Sequence, residues 1–314
     1  MLKQVRTERS QTRLADMGVI RAQGADAVKF LQGQVSNDVA RLATDRSVLA
    51  GLHNAQGRVI ALLRMVLAGP EEILAILPRE LAAPVAARLS KFVLRAKVKI
   101  SDASAEWEVA GVTVSGVAEG LAEASVGAAR RDEEGRLWVC VGPSRSLVVT
   151  RSGQPQEPEA TATLSAEQWH AADLAAGLPQ VYAATSEAFV AQMLNLDLVD
   201  GIAFDKGCYT GQEVIARAHY RGRVKRRMQR FRTSAPAKLS AGDTGTLSEG
   251  RSFKVVDAVR LDDGRTEFLA VTTFGATAVG GAATDDAAEA PSTSASENPP
   301  VNAEQLALPY SLPA

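Results

Sequence analysis

The sequence predicts an α+β fold, and three observations carry that reading. Strand-like and helix-like segments are mixed from the start, without the regular alternation of a doubly wound parallel sheet. From Lys97 to Thr150 the pattern is mostly strand: KVKI, WEVAGVTVSG, LWVCV and SLVVT alternate or run apolar between turn signals. After Arg223 come short strands, RMQRFR, FKVVDAVRL and EFLAVTTF, separated by GDTG and DDGR turns. That spacing suits a small antiparallel barrel or sandwich.

The elements follow in order. GVIRAQGADAVKFLQ reads as a strand, a turn at Gly24 and a short helix capped by Asp26. Ser36 and Asn37 offer a cap for a second short helix through NDVARL. VLAGLHNAQGRVIALLRMVLAG reads as two strands joined across His53–Gly57, and ILAIL as a third. The helix that follows gathers Val85, Leu89, Phe92 and Val93 on one face, with Pro84 expected in its first turn. Cys140, inside LWVCV, is expected to be a buried, inert thiol. A polar loop follows from Ser152 to Glu159. Ser165-Ala-Glu-Gln168 is a capping box heading a helix that Gly177 and Pro179 terminate.

A chain of 314 residues can bury a substantial core and suits about two domains. Its formal net charge of −1 hides an asymmetry. No Lys or Arg follows Arg265, while Glu267, Asp285, Asp286, Glu289, Glu297 and Glu304 do. The first 265 residues therefore carry 35 basic against 30 acidic side chains, a mildly basic body that suits an anionic ligand or partner as well as plain surface charge. Two cysteines make no disulfide framework, and a reducing compartment is expected. The apolar run Val59–Gly69 is too short to span a bilayer and contains Arg64, and the N-terminus has no apolar signal core. The expected location is the cytoplasm, with no membrane partner.

The sequence FDKGCYTGQEVIAR, Phe204 to Arg217, carries the chemistry. Thr210-Gly-Gln-Glu213 before Val214-Ile215 predicts a second capping box, placing Cys208 just ahead of a helix N-terminus. The positive helix end and the nearby Lys206 favour a thiolate, which can attack an electrophile or ligate soft iron or copper. The plainer alternative is an ordinary turn with an exposed cysteine, and a helix-surface ion pair between Glu213 and Arg217. No phosphate-binding loop, G-x-S-x-G or paired-histidine zinc motif occurs, and His53, His170 and His219 are far apart in sequence. A complete metal site within the chain is therefore not expected; a single-cysteine share in one stays open. Arg217, Arg221, Arg223, Lys225, Arg226, Arg227, Arg230 and Arg232 form a basic stretch that could grip RNA phosphates or the carboxylates of a polyanion. Only Tyr220 and Phe231 interleave it, so base stacking is poorly supported.

The run KGCYTGQEVIAR, with Asn195-Leu-Asp ahead of it and the basic stretch behind, resembles the signature of the YgfZ family. These are folate-binding relatives of the glycine-cleavage T-protein that act in iron–sulfur cluster assembly and tRNA modification. FLQGQVSNDVARL, LSKFVLRAKVKI and LPYSL are similar to other segments of that family. The resemblance implies a T-protein-like cloverleaf of mixed α/β subdomains around a central channel, ending in a small antiparallel β-barrel. Its parts would be an N-terminal subdomain (14–100), a second carrying the motif (101–222), the barrel (223–275), a disordered acidic linker (276–305) and a C-terminal segment docking back (306–314).

By the same resemblance the channel holds tetrahydrofolate. Lys206, Tyr209, Gly211, Gln212, Glu213 and Arg217 are carried over as cofactor-binding positions, with Asn195 added. Lys206 and Cys208 are the expected catalytic pair, Cys208 also serving as a transient ligand to a shared iron–sulfur cluster. Expected partners are folate, iron–sulfur scaffold or client proteins, and tRNA in weak contact.

Two departures stand out. The T-protein carries acidic residues where this chain has Ala61 and Leu62, so aminomethyl transfer by that route is not expected. Ala175 stands where a glutamate would approach the pterin, leaving Asp173 or Asn195 as the alternative. The reading is thus a folate-linked accessory factor for iron–sulfur assembly. Its rivals are a folate-dependent one-carbon transferase with other acid–base groups and an RNA-binding protein.

Overall fold

A computed structural model of the chain describes residues 8–115, 125–154, 162–221, 224–274 and 299–313. The chain opens with β1 (Glu8–Arg13), β2 (Met17–Gln23) and α1 (Ala27–Gln32). Asp26 does precede α1, but its carboxylate accepts from the Lys97 amide at 2.7 Å instead of capping the helix. A single 3-10 turn, Val39–Arg41, is capped by Asp38, one residue beyond the expected Ser36 and Asn37. Next come β3 (Val48–His53), β4 (Val59–Gly69), β5 (Glu72–Pro78), α2 (Arg79–Ser90) and β6 (Lys99–Asp102). Pro84 lies inside α2, which begins five residues before it. There it forgoes one helical hydrogen bond but continues a face on which Leu81, Val85 and Leu89 are buried.

The first sheet has the order β3-β4-β5-β2-β6, antiparallel throughout. Strand alternation splits its two faces. Leu63 and Met65 of β4 share a core with α1 and α2 residues. Val66, Leu74 and Ile76, on the opposite face, join a second core with Trp107, Val139 and Trp169.

The second sheet collects β7 (Trp107–Ser115), β8 (Ala129–Arg131), β9 (Leu137–Gly142), β10 (Arg145–Arg151) and β11 (Ala162–Thr163) around the N-terminal strand. Its order is β11-β1-β7-β10-β9-β8, with only the β1–β11 pair parallel. Cys140 is buried within it. α3 (Ala166–Ala175) follows, and both halves of the Ser165–Gln168 capping box are formed. The chain then crosses back to the first sheet: the Phe189 carbonyl accepts from Val59, and Ser36 donates to the Gly201 carbonyl at 2.7 Å. α4 (Gln212–Tyr220) ends this excursion.

The third sheet is built from β12 (Arg226–Thr233), β13 (Thr244–Thr246), β14 (Ser252–Arg260), β15 (Thr266–Thr273) and β16 (Ala303–Leu306), ordered β13-β14-β15-β12-β16. Phe231, Phe253 and Phe268 fill its inner face. Among the described residues its edges meet through a parallel bridge between Leu247 and Val301, so the small antiparallel sheet expected at this end curls on itself. The stretch expected to be a disordered linker lies mostly outside the described residues. Its end does not, because β16 pairs with β12 from Ala303 onward. A four-residue strand with one large apolar side chain gives no hydrophobic period to read; backbone pairing makes it. Beyond it, Tyr310 donates to the Gly177 carbonyl at 2.7 Å.

Candidate functional site

The KGCYTGQE turn is held from below. Lys206 Nζ donates to the carbonyls of Gln32, Val35 and Asn37 at 2.6, 2.7 and 2.8 Å, so all three ammonium hydrogens are committed to the backbone after α1. Burial lowers its pKa to about 8, against the opposing charge of Asp38. The ammonium also lies 5.1 Å from the centre of the Tyr209 ring, a cation–π distance. Tyr209 is buried, which pushes its pKa up to about 12.

The helix starts one residue later than the predicted box. Its N-cap is Gly211 at φ +82°, with no side-chain cap, and Gln212 Oε1 accepts from the Tyr209 amide at 3.3 Å. The physical reason is contact: a Cβ at Gly211 would stand 2.5 Å from the Asn54 carbonyl of the β3–β4 turn. Thr210 therefore does not cap, and Glu213 instead pairs with Arg217 at 3.0 Å, both side chains exposed. Cys208 is exposed on this turn. Asn195, at φ +57°, is fully buried. Its amide nitrogen donates to the Met228 carbonyl at 2.9 Å, and its oxygen accepts from Arg227 at 3.4 Å.

Beneath the turn lies His53, a residue sequence reasoning passed over. Its ring is 6.1 Å from that of Tyr209, and neither nitrogen has a hydrogen-bond partner; the Gly51 backbone lies near without a bond of normal geometry. Burial pushes its pKa down to about 3. The signal was an inward position at the end of β3 with Gly51 two residues before it, where a Cβ would stand 2.4 Å from the imidazole.

A separate cavity of about 200 Å³ opens between the first sheet, the second sheet, α3 and β14. Leu62 and Arg64 of β4 face it, as do Trp169, His170 and Asp173 of α3, Tyr182 and Asp257. None of Lys206, Cys208, Tyr209, Gly211, Gln212, Glu213, Arg217 or Asn195 lines it. His170 Nε2 is 2.8 Å from Asp257 Oδ1, and the Tyr182 hydroxyl donates to Asp257 Oδ2 at 3.2 Å. Burial would lower the His170 pKa, but the hydrogen bond and charge of Asp257 raise it above its ordinary value. Asp173, pushed up by burial, is held by Arg145 at 2.7 Å, whose guanidinium stacks 4.2 Å above Trp169. Sequence reasoning offered Asp173 as a ligand contact but gave no such role to Arg64, Trp169, His170, Tyr182 or Asp257. Arg64 alone had a legible signal, a charge inside the apolar run VIALLRMVL.

Part of the basic stretch is paired within the fold. Arg227 forms a buried two-point pair with Asp197 at 2.8 and 2.7 Å. Arg230 and Arg232 share Glu267 at 2.7 and 3.0 Å, and Arg226 donates to Ser252. Arg223 lies outside the described residues. Among the described residues no group of three or more His, Cys, Asp or Glu gathers as metal ligands. Among them, too, no helix is long and apolar enough to cross a membrane.

Three antiparallel-rich sheets around a partly open, mainly apolar cavity have a glycine-cleavage T-protein type of fold. The crystal structure of glycine cleavage system aminomethyltransferase T from Bartonella henselae is similar over 85% of this chain and 79% of that one, with a TM-score of 0.67 at 13% identity. No protein-family model matches the chain. Curated relatives are closer in sequence. The tRNA-modifying protein YgfZ of Serratia proteamaculans (strain 568) is 32% identical over 267 residues, 80% of each chain. That of Escherichia coli O157:H7 (strain EC4115 / EHEC) is 32% identical over 274 residues, covering 80% of this chain and 82% of its own. That of Yersinia pestis (strain Pestoides F) is 33% identical over 267 residues, again 80% of each. The chain belongs to the YgfZ family.

Proposed function

We propose that this protein is a folate-binding factor of tRNA modification, acting in the cytoplasm through support of iron–sulfur enzymes. The observation that carries the reading is the cavity. It is partly open, it offers an aromatic wall at Trp169 and Tyr182, and it sets carboxylates against a cation at Arg64. A pterin needs such a mixture, a flat surface with donors and acceptors fixed around it. The residues present therefore fit tetrahydrofolate, with Asp173, His170, Tyr182 and Arg64 as its polar contacts. Bound there, folate would supply a carrier for a one-carbon unit.

Leu62 faces the cavity and Ala61 is buried in the core, so neither can move a proton, which speaks against a T-protein type of transfer. Cys208, exposed on a turn fixed by Lys206 and Gly211, suits a passing contact with a cluster held by another protein.

One experiment with two arms tests this. Tetrahydrofolate titrated into the protein should quench Trp169 fluorescence saturably, and less strongly in Trp169→Phe. Anaerobic cluster transfer from a scaffold protein should fail with Cys208→Ala although folate still binds. Absence of folate binding removes the first half of the proposal; unimpaired transfer by Cys208→Ala removes the second.

A further inference from the structure

Arg64 stands on β4 two residues beyond Leu62, so the pleat points both side chains into the cavity. In the sheet register Arg64 lies opposite Leu49 on β3 and Ile76 on β5, and both of these also line the cavity. A guanidinium thus sits in the middle of an apolar row. It is half-buried, and it lines the cavity. Among the described residues it makes no hydrogen bond and no ion pair.

The inner carboxylates around it are already occupied. Asp173 is taken by Arg145, and Asp257 by His170 and Tyr182. Asp16 and Glu167 line the cavity too but are exposed. Asp173 attracts the guanidinium through space but is itself bonded to Arg145, so the Arg64 charge has no hydrogen-bonded protein partner among the described residues. A molecule entering the cavity can supply one.

We propose that Arg64 is the specificity-determining residue of this cavity: it favours folate forms that present an acceptor oxygen to β4 and disfavours forms that are positively charged there. The proposal rests on the folate reading and narrows it. In one-carbon chemistry the distinction is sharp. The methenyl form of tetrahydrofolate shares a positive charge across its two bridged nitrogens. The N5-formyl form is neutral at the same place and carries a carbonyl oxygen that a guanidinium can bond.

The test is a comparison of affinities by fluorescence titration, in one buffer, for the N5-formyl and methenyl forms. The wild type should bind the formyl form at least tenfold more tightly. Arg64→Met should bring the two affinities within about threefold, and Arg64→Lys, which keeps the charge, should retain most of the preference. Circular dichroism and urea unfolding of each variant establish that it is folded, and the wild-type ratio stands whether or not Arg64→Met folds. Equal affinities in the wild type, or an unchanged ratio in a folded Arg64→Met, overturn the role of Arg64 while leaving folate binding intact. If the wild type binds neither form nor tetrahydrofolate itself, the folate reading falls and this inference falls with it.

Discussion

The Lys206 ammonium gives its three hydrogens to three carbonyls within a six-residue span of backbone, Gln32 to Asn37. That span connects α1 to the first sheet, so the lysine fastens the cysteine turn to it. A tetrahedral ammonium converges on three acceptors, whereas a planar guanidinium cannot point all its donors at one small cluster of oxygens. Lys206→Met should therefore lower stability by about 2–4 kcal/mol in urea unfolding, because charge-assisted bonds are lost and carbonyls are left unmatched. Lys206→Arg should recover less than half of that. If Lys206→Met unfolds at the wild-type urea concentration, the three contacts are not holding the turn and the ammonium is free for a ligand. At this scale the sequence identified the residue and its neighbours but not its orientation. Adjacency to Cys208 along the chain suggested electrostatic help for sulfur; the carbonyls that fold against it come from a segment about 170 residues away.

Among the elements, α4 shows what local rules can and cannot fix. Gly211 adopts φ +82°, and its missing side chain lets the helix N-terminus meet the Asn54–Gly57 turn backbone to backbone. Gly57 at φ +72° is the reciprocal half, since a Cβ there would stand 3.0 Å from Val214. Gly211→Ala should cost about 2 kcal/mol or more, from strain at positive φ added to a clash with a carbonyl that cannot move freely. Urea unfolding measures it, and a loss under 0.5 kcal/mol, on the order of a surface substitution, would mean the close approach is not maintained in solution. Gly57→Ala should be similarly damaging, and the double variant less than additive, because the two glycines serve one contact. The Ser165 capping box was legible because nothing else competes for its groups. The Thr210 box was not formed because a distant turn imposed the left-handed glycine as N-cap. The longer strands were readable from their apolar patterns, whereas β1, β8, β11, β13 and β16 were not. Their assortment was not, since β1 joins the second sheet by backbone pairing that leaves no mark in side-chain pattern.

Across the whole molecule, two histidines at the joints between parts have opposite pH dependence. His53 is buried and neutral between β3 and the cysteine turn, its folded pKa near 3 because of burial. As pH falls below about 6.5 the unfolded chain takes up this proton first, so stability complete above 6.5 declines towards pH 3. By pH 5 this one group accounts for about 2 kcal/mol. His170 is the reverse. It links α3 to Asp257 of β14, on the third sheet, and that carboxylate raises its pKa above the ordinary value. Its contribution is fully present below about 6.5 and is lost as pH rises through the folded-state value. These two groups by themselves place a stability maximum on the slightly acid side of neutrality, one limb from each. His53→Leu should flatten the acid limb and leave the alkaline one unchanged. Asp257→Asn should flatten the alkaline limb and bring the His170 titration, followed by its imidazole NMR signals, down below the wild-type midpoint. If Asp257→Asn leaves both the His170 midpoint and the alkaline limb where they were, then α3 and the third sheet are not coupled through this pair, and the cavity wall they form together is held by packing alone.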